Sequence, residues 1–324
     1  MESLLSLYEN CRLCPRDCRV NRARGETGFC RMPSVPKLGR VSLHMWEEPC
    51  ISGTRGSGTV FFAGCSLGCI YCQNRTMIPD ALIPGGGTDL PHCPPVTSRE
   101  LADYFLQVQS SGAHNLNLVT AAHFLPHAAE ALKEAKEGGL NIPVVYNTSG
   151  YEKPESLKML EGLVDIYLTD FRYMDPETAS RYSHAENYPD AAKSALREML
   201  RQCPQIHLED GLMKRGVLVR VLLLPGHVKE AKEIVSFLHA SYGSSVRLSL
   251  LSQYTPLPHL KSDPLLSRKV TKREYDRLVD HALSLGIADA YIQEGSAAKE
   301  SFIPVFHGEC LLNSSHWRNK THMV

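Results

Sequence analysis

Net charge is the first thing this 324-residue chain lacks: 35 Lys and Arg face 35 Asp and Glu, for a formal charge of +0. That balance argues against nucleic acid as the main partner, because phosphate recognition needs a clear basic excess. Long apolar runs are missing too. The best candidate, Val217 to Leu224, is broken by Arg220 and closed by Pro225, far short of the ~18 residues of a membrane span. The first ten residues show no basic stretch followed by an apolar core, so the expectation is a cytoplasmic protein without a secretory signal. There is no internal repeat, low-complexity tract, Walker loop or G-x-S-x-G elbow, and no G-x-G-x-x-G follows a strand. The glycine-rich Gly53-Thr54-Arg55-Gly56-Ser57-Gly58 precedes its strand, the wrong side for a phosphate cradle. With 43% apolar and 22% charged residues, disorder is excluded as well.

What the chain does have is cysteine, 11 in all. Seven fall in two tight groups: Cys11, Cys14, Cys18 and Cys30, then Cys65, Cys69 and Cys72. An odd total at short spacings, without a signal peptide, fits metal ligation in a reducing compartment better than a disulfide framework. Cys50, Cys93, Cys203 and Cys310 are scattered and read as small apolar packing residues.

Residues 1–50 have little periodic structure. Within 1–40, eight basic side chains face four acidic ones, so this stretch reads as a small cysteine-rich metal-binding segment. From Thr59 onward, continuous apolar runs predict buried strands at Thr59–Ala63, Leu116–Thr120, Pro143–Asn147, Val164–Asp170, Val217–Leu224 and Val246–Leu251. Helical stretches alternate with them. Thr97-Ser98-Arg99-Glu100 forms a capping box before Leu101–Val108, and Phe124–Lys136 ends at Gly138-Gly139. Further helices are expected over Pro154–Leu160, Ala191–Arg201, Val228–His239 and Lys272–Leu285. Six strand-helix units in series imply parallel strands with right-handed crossovers. Six is two short of a closed eightfold barrel, so the expected fold is α/β, a partial (β/α)6 TIM-type barrel over residues 51–324. A doubly wound open sheet is the alternative.

The most informative stretch runs from Gly58 to Asn74. An apolar strand ends at Gly64, and Cys65-Ser66-Leu67-Gly68-Cys69-Ile70-Tyr71-Cys72 follows with C-x3-C-x2-C spacing. In a parallel α/β fold this is the loop at a strand's C-terminal end, where sites are built. Three thiolates can hold three irons of a [4Fe–4S] cube and leave the fourth open, whereas ferredoxins supply four cysteines per cluster. Zinc is the competing reading, with His44 or His92 as a fourth ligand. His123 and His127 stand at i, i+4, but no third ligand accompanies them, so they read as ordinary polar residues.

This spacing resembles the radical S-adenosylmethionine (SAM) superfamily, in which an aromatic residue, here Tyr71, precedes the last cysteine. The surroundings are similar to the pyruvate formate-lyase-activating enzyme-like branch. The matching words are Cys11-Arg12-Leu13-Cys14-Pro15-Arg16-Asp17-Cys18, Gly28-Phe29-Cys30, Cys72-Gln73-Asn74, Tyr146-Asn147-Thr148-Ser149-Gly150-Tyr151, Ser252-Gln253-Tyr254-Thr255-Pro256 and Phe302-Ile303-Pro304.

The resemblance implies a [4Fe–4S] cluster on Cys65, Cys69 and Cys72 whose open iron chelates SAM. One electron then cleaves SAM to methionine and a 5′-deoxyadenosyl radical, which abstracts hydrogen from a substrate. The nearest analogy for that substrate is a glycyl residue of a partner enzyme. It also implies a flavodoxin- or ferredoxin-like electron donor. The Gly-Gly-Glu that relatives carry after the second strand is absent; Val119-Thr120-Ala121-Ala122-His123 stands there instead, with Thr120 and backbone carbonyls as replacements. Asn147-Thr148 and Asp170-Phe171-Arg172 occupy the places of the SAM-carboxylate contacts. Arg172 offers a carboxylate-matching fork that Asp170 orients, or else the two merely pair. Arg220, a lone charge in an apolar strand, needs a partner and is either a cofactor contact or half of a structural ion pair. Gln253 is assigned to the adenine or ribose.

Four thiolates at Cys11, Cys14, Cys18 and Cys30 saturate a second metal site, an auxiliary [4Fe–4S] cluster or zinc. The surrounding arginines would offset the thiolate charge or dock an acidic electron donor. A different class of protein stays open on the residues alone: a non-catalytic iron-sulfur electron carrier or a zinc-bearing interaction protein.

Overall fold

A computed structural model of the protein describes residues 4–79, 93–293 and the two strand residues 309–310. The motif word Phe302-Ile303-Pro304 and the zinc-ligand candidate His92 fall outside the described residues.

All six apolar runs form strands within a few residues of their expected limits. They are β2 (Ser57–Phe62), β3 (Leu116–Val119), β4 (Val144–Thr148), β5 (Ile166–Asp170), β7 (Leu212–Leu222) and β8 (Val246–Leu251). Each pairs with the next in parallel, in the order β2-β3-β4-β5-β7-β8. The helices that link them are α2 (Ser98–Ser110), α3 (Leu125–Glu137), α4 (Pro154–Leu157), α5 (Pro176–Ser183), α6 (Tyr188–Gln202) and α7 (Val228–Tyr242). After β8 comes α8 (Lys272–Ser284). The capping box opens α2 as its sequence requires: Thr97 Oγ1 accepts from Glu100 N at 3.2 Å, and Glu100 Oε2 accepts from Thr97 N at 2.8 Å. The fold is the partial barrel expected of the sequence.

Four strands escaped the sequence reading. β1 (Leu38–His44), inside the leader, runs antiparallel along the free edge of β2, and β10 (Glu309–Cys310) lies parallel to β1. β6 (His207–Glu209) makes a hairpin with β7, and β9 (Tyr291–Ile292) adds a seventh parallel strand beside β8. Among the described residues the sheet ends at β10 on one side and β9 on the other, without closing.

Two apolar layers hold it. The larger lies between the sheet and its helices and includes Val60, Leu118, Tyr146, Leu132 and Leu196. The smaller fills the lower bore of the barrel: Val145, Ile166, Leu168 and Leu218 from the strands meet Cys50 and Ile51 from α1 (Pro49–Ser52). Burying each such side chain is worth about 1.5–3 kcal/mol, so α1 acts as an apolar plug. Directly above this plug the bore turns polar.

Candidate functional site

The polar region is a cavity of about 430 Å³ at the C-terminal strand ends, the face where parallel barrels build their sites. Cys65, Cys69 and Cys72 all line it, and so do Tyr71, Asn147, Thr148, Asp170, Arg172, Arg220 and Gln253. Ten residues singled out from the sequence therefore meet in one place.

The cysteine loop is shaped by glycine and by backbone hydrogen bonds. Gly64, at φ +83°, turns the chain out of β2, and a Cβ there would lie 2.3 Å from Met32 Cγ. No other residue combines that dihedral with that approach. Leu67 N donates to Cys65 Sγ at 3.3 Å, and Cys72 N donates to the Cys69 carbonyl at 3.1 Å.

Cys69 is the most heavily solvated by protein. Ser183 Oγ donates to its Sγ at 2.9 Å, and Arg172 Nη1 does so at 3.1 Å. Tyr71 reaches the same sulfur indirectly, through a Tyr71–Tyr173 hydroxyl contact of 2.6 Å and a Tyr173–Ser183 contact of 2.7 Å. Burial, and then the neighbouring Cys65 and Cys69, push the Cys72 thiol up to about 12. Burial likewise raises Cys65, with Cys69 adding to it. Cys65 and Cys72, so shifted, become thiolates most readily when a bound cation repays their charge. N–H and O–H donors aimed at one sulfur suit such a metal thiolate.

Arg172 is held by Asp170, whose Oδ2 accepts from Nη2 at 2.5 Å and from Nε at 3.1 Å. The pair exists, as one reading required, and it faces the cavity. Three of the five guanidinium donors are used by Asp170 and Cys69, which leaves donors for an incoming carboxylate. Thr120, in place of the missing Gly-Gly-Glu, lines the cavity at φ +61°. A β-branched residue rarely adopts that conformation, at a cost of about 1–3 kcal/mol, and such outliers gather at functional sites.

Other expected contacts are partly engaged elsewhere. Thr148 lines the cavity, but its hydroxyl donates to Glu152 Oε1 at 2.5 Å. Glu152 is a buried carboxyl that burial pushes up to about 7, and its Oε2 has no hydrogen-bond partner. Gln253 accepts from Gln293 Nε2 at 3.0 Å through its side chain and from Gln73 Nε2 at 3.0 Å through its carbonyl.

Arg220 has partners that sequence reading missed. Its Nε donates to Glu48 Oε1 at 2.8 Å and its Nη2 to Glu48 Oε2 at 2.7 Å, and Glu47 accepts from the same Nη2. Glu47 also accepts from Asn117 Nδ2 at 3.1 Å and Asn147 Nδ2 at 3.3 Å. The ion-pair reading is thus realised, as the floor of the cavity.

The four N-terminal cysteines lie within electrostatic reach of one another. Cys11, Cys18 and Cys30 each add to the upward shift that burial imposes on Cys14. Arg22, 1% exposed, donates to the carbonyls of Met32, Pro33 and His123, and its Nη1 lies 3.6 Å from Cys11 Sγ. Gly28 is required beside Cys18, since a Cβ there would stand 2.7 Å from Cys18 Sγ. His123 and His127 do not converge on a ligand: His123 Nε2 meets the Ala63 carbonyl at 2.7 Å and His127 Nδ1 meets Tyr8 OH at 3.0 Å. Among the described residues no helix is long and apolar enough to cross a membrane.

A curated relative, an uncharacterized protein of Methanocaldococcus jannaschii, is 31% identical over 287 residues, covering 87% of this chain and 77% of that one. Three solved structures match part of this chain. HydG, a maturase of the [FeFe]-hydrogenase, gives a TM-score of 0.49 at 13% identity over 74% of this chain and 52% of its own. The anSMEcpe structure with bound AdoMet gives 0.47 at 11% identity over 71% and 61%. Methylornithine synthase (PylB) gives 0.44 at 12% over 70% and 68%. The chain thus spans about half the length of HydG. Residues 59–238, from the first strand of the barrel through α7, match the model of the Radical SAM superfamily, and the chain belongs to that superfamily.

Proposed function

We propose that Cys65, Cys69 and Cys72 hold the [4Fe–4S] cluster of this superfamily and leave one iron for SAM. The carrying observation is that all three thiols open into the same cavity as the Asp170–Arg172 pair, with Arg172 already bonded to Cys69. When bound, the reduced cluster supplies the electron that cleaves SAM to methionine and a 5′-deoxyadenosyl radical. The protein's part is to bind, orient and shelter. Arg172, steadied by Asp170, takes the SAM carboxylate through its remaining donors. Asn147 would stand on the carboxylate side with Arg172, the Thr120 backbone would border the place of the ammonium group, and Gln253 that of the nucleoside. The α1 plug closes the bore from below and keeps water from the intermediate.

The substrate on this reading is a glycyl residue of a partner enzyme, and the electron comes from a flavodoxin- or ferredoxin-like donor in the cytoplasm. What supports the glycyl reading is the set of branch motifs named above. Its test uses an anaerobic extract of the source cells divided into macromolecular and small-molecule fractions. The macromolecular fraction is expected to stimulate 5′-deoxyadenosine formation and to develop a protein-based radical signal. Stimulation by the small-molecule fraction alone would contradict it.

Cys11, Cys14, Cys18 and Cys30 hold a second metal, an auxiliary [4Fe–4S] cluster being the favoured occupant and zinc the alternative. Arg22 supports this: among the described residues no carboxylate lies within ion-pairing distance of that buried guanidinium, whereas Cys11 Sγ does lie beside it. A buried charge needs a counter-charge, and metal-bound thiolates supply one. Cys11→Ala is expected to lose about half of the reconstituted iron and sulfide. A variant that keeps all its iron but loses zinc would assign the site to zinc.

A further inference from the structure

Arg16 lies between Cys14 and Cys18, yet its guanidinium serves the other cysteine set. Its Nε donates to the Ser66 carbonyl at 2.8 Å, and its Nη2 donates to the carbonyls of Leu67 and Ser183 at 3.0 Å each. The His184 carbonyl accepts from Nη1. The residues so held touch the sulfurs directly: Leu67 N donates to Cys65 Sγ, and Ser183 Oγ donates to Cys69 Sγ.

The other face of the guanidinium belongs to the N-terminal set. It stacks 3.6 Å from the centre of the Phe29 ring, and Phe29 N donates to Cys18 Sγ at 3.3 Å. The two sets also abut through backbone, since a Cβ on Gly64 would lie 3.1 Å from the Cys30 carbonyl.

We propose that Arg16 is a positioning residue for the Cys65–Cys72 loop, coupling closure of the N-terminal cysteine set to the placement of Cys65 and Cys69. Four carbonyls at two tight turns need donors, and a planar guanidinium fork supplies them from one rigid group. Lysine keeps the charge but cannot serve four acceptors in that geometry. The proposal rests on the three-cysteine reading for its iron readout and stands apart from it for its thiol readout.

The test uses the full chain as wild type, Arg16→Ala and Arg16→Lys. In metal-free protein, iodoacetamide labelling is followed by mass spectrometry, with fully buried Cys203 as the internal standard for global folding. Both variants are expected to label at Cys65 and Cys69 about tenfold faster relative to Cys203, the factor that follows from losing a charge-assisted clamp. In iron-reconstituted protein, chelator-driven iron loss from the Cys69-dependent cluster should accelerate by a similar factor, and Cys11→Ala should reproduce that acceleration. Wild-type labelling and iron-loss rates in both variants would overturn the proposal. If Arg16→Ala also exposes Cys203, the Lys variant decides, and wild-type rates there overturn it. Wild-type protein that takes up no Cys69-dependent iron would fail the cluster reading, while the metal-free labelling would still decide Arg16.

Discussion

Arg220→Met is expected to destabilise the fold by about 3–5 kcal/mol, the usual cost of removing one partner from a buried charge network. The side chains involved are all enclosed: Arg220 is 15% exposed, Glu47 8% and Glu48 5%. Removing the cation leaves two adjacent, largely enclosed carboxylates at the cavity floor with no cation beside them. In a domain of this size the midpoint of thermal unfolding should fall by on the order of 10 °C, measurable by scanning calorimetry. Replacing Glu47, Glu48 and Arg220 together by apolar residues should recover much of the loss, because the intact triad repays little more than its own desolvation.

The same network fixes a pH dependence. Burial works to raise the Glu48 carboxyl, but the Arg220 charge and its hydrogen bonds hold it below its ordinary value. A depressed folded value means that Glu48 stabilises the protein above about pH 4.3, the unfolded pKa of a glutamate, and that this contribution is lost as pH falls through the folded value. The penalty of Arg220→Met should therefore be largest near neutrality and shrink in acid. A penalty that stays constant down to the acid limit would remove Glu48 from the account.

How far the sequence could be read followed from how each residue signals its environment. The six barrel strands were legible because both their faces are covered, which makes them continuous apolar runs. β1 was not, since Gly39, Arg40 and His44 interrupt it and it pairs antiparallel with β2, outside the parallel strand-helix series. α5 was missed because Pro176-Glu177-Thr178-Ala179-Ser180-Arg181-Tyr182-Ser183 buries only three residues and shows no broad apolar stripe.

The cysteines were legible from spacing alone, whereas their supporting shell was not. Ser183 lies 114 residues from the sulfur it touches, and nothing local marks it. Glu47 and Glu48, beside Trp46 and Pro49, look like a solvated turn. The available signal was Arg220 itself: a charge inside a buried strand demands a carboxylate, and two adjacent ones preceding a proline were on offer.

Cys69→Ala is expected to have the largest effect of any single change. Its sulfur is the point on which Arg172, Ser183 and, through Tyr173, Tyr71 converge. Alanine removes one of the three thiols proposed to hold the cluster and takes one hydrogen-bond partner from the half-buried Arg172 guanidinium. The global fold should survive, since the sheet and its helices do not depend on that sulfur, and calorimetry would show this.

Catalysis should not survive. In iron-reconstituted, dithionite-reduced protein incubated anaerobically with SAM, the quantity to measure is 5′-deoxyadenosine over time. Wild type should form it, and Cys69→Ala should fall to the SAM-only background, a loss of roughly a thousandfold or more. Equal rates from the two proteins, or no 5′-deoxyadenosine from wild type carrying its full iron, would contradict the assignment of Cys65, Cys69 and Cys72 to a SAM-cleaving cluster.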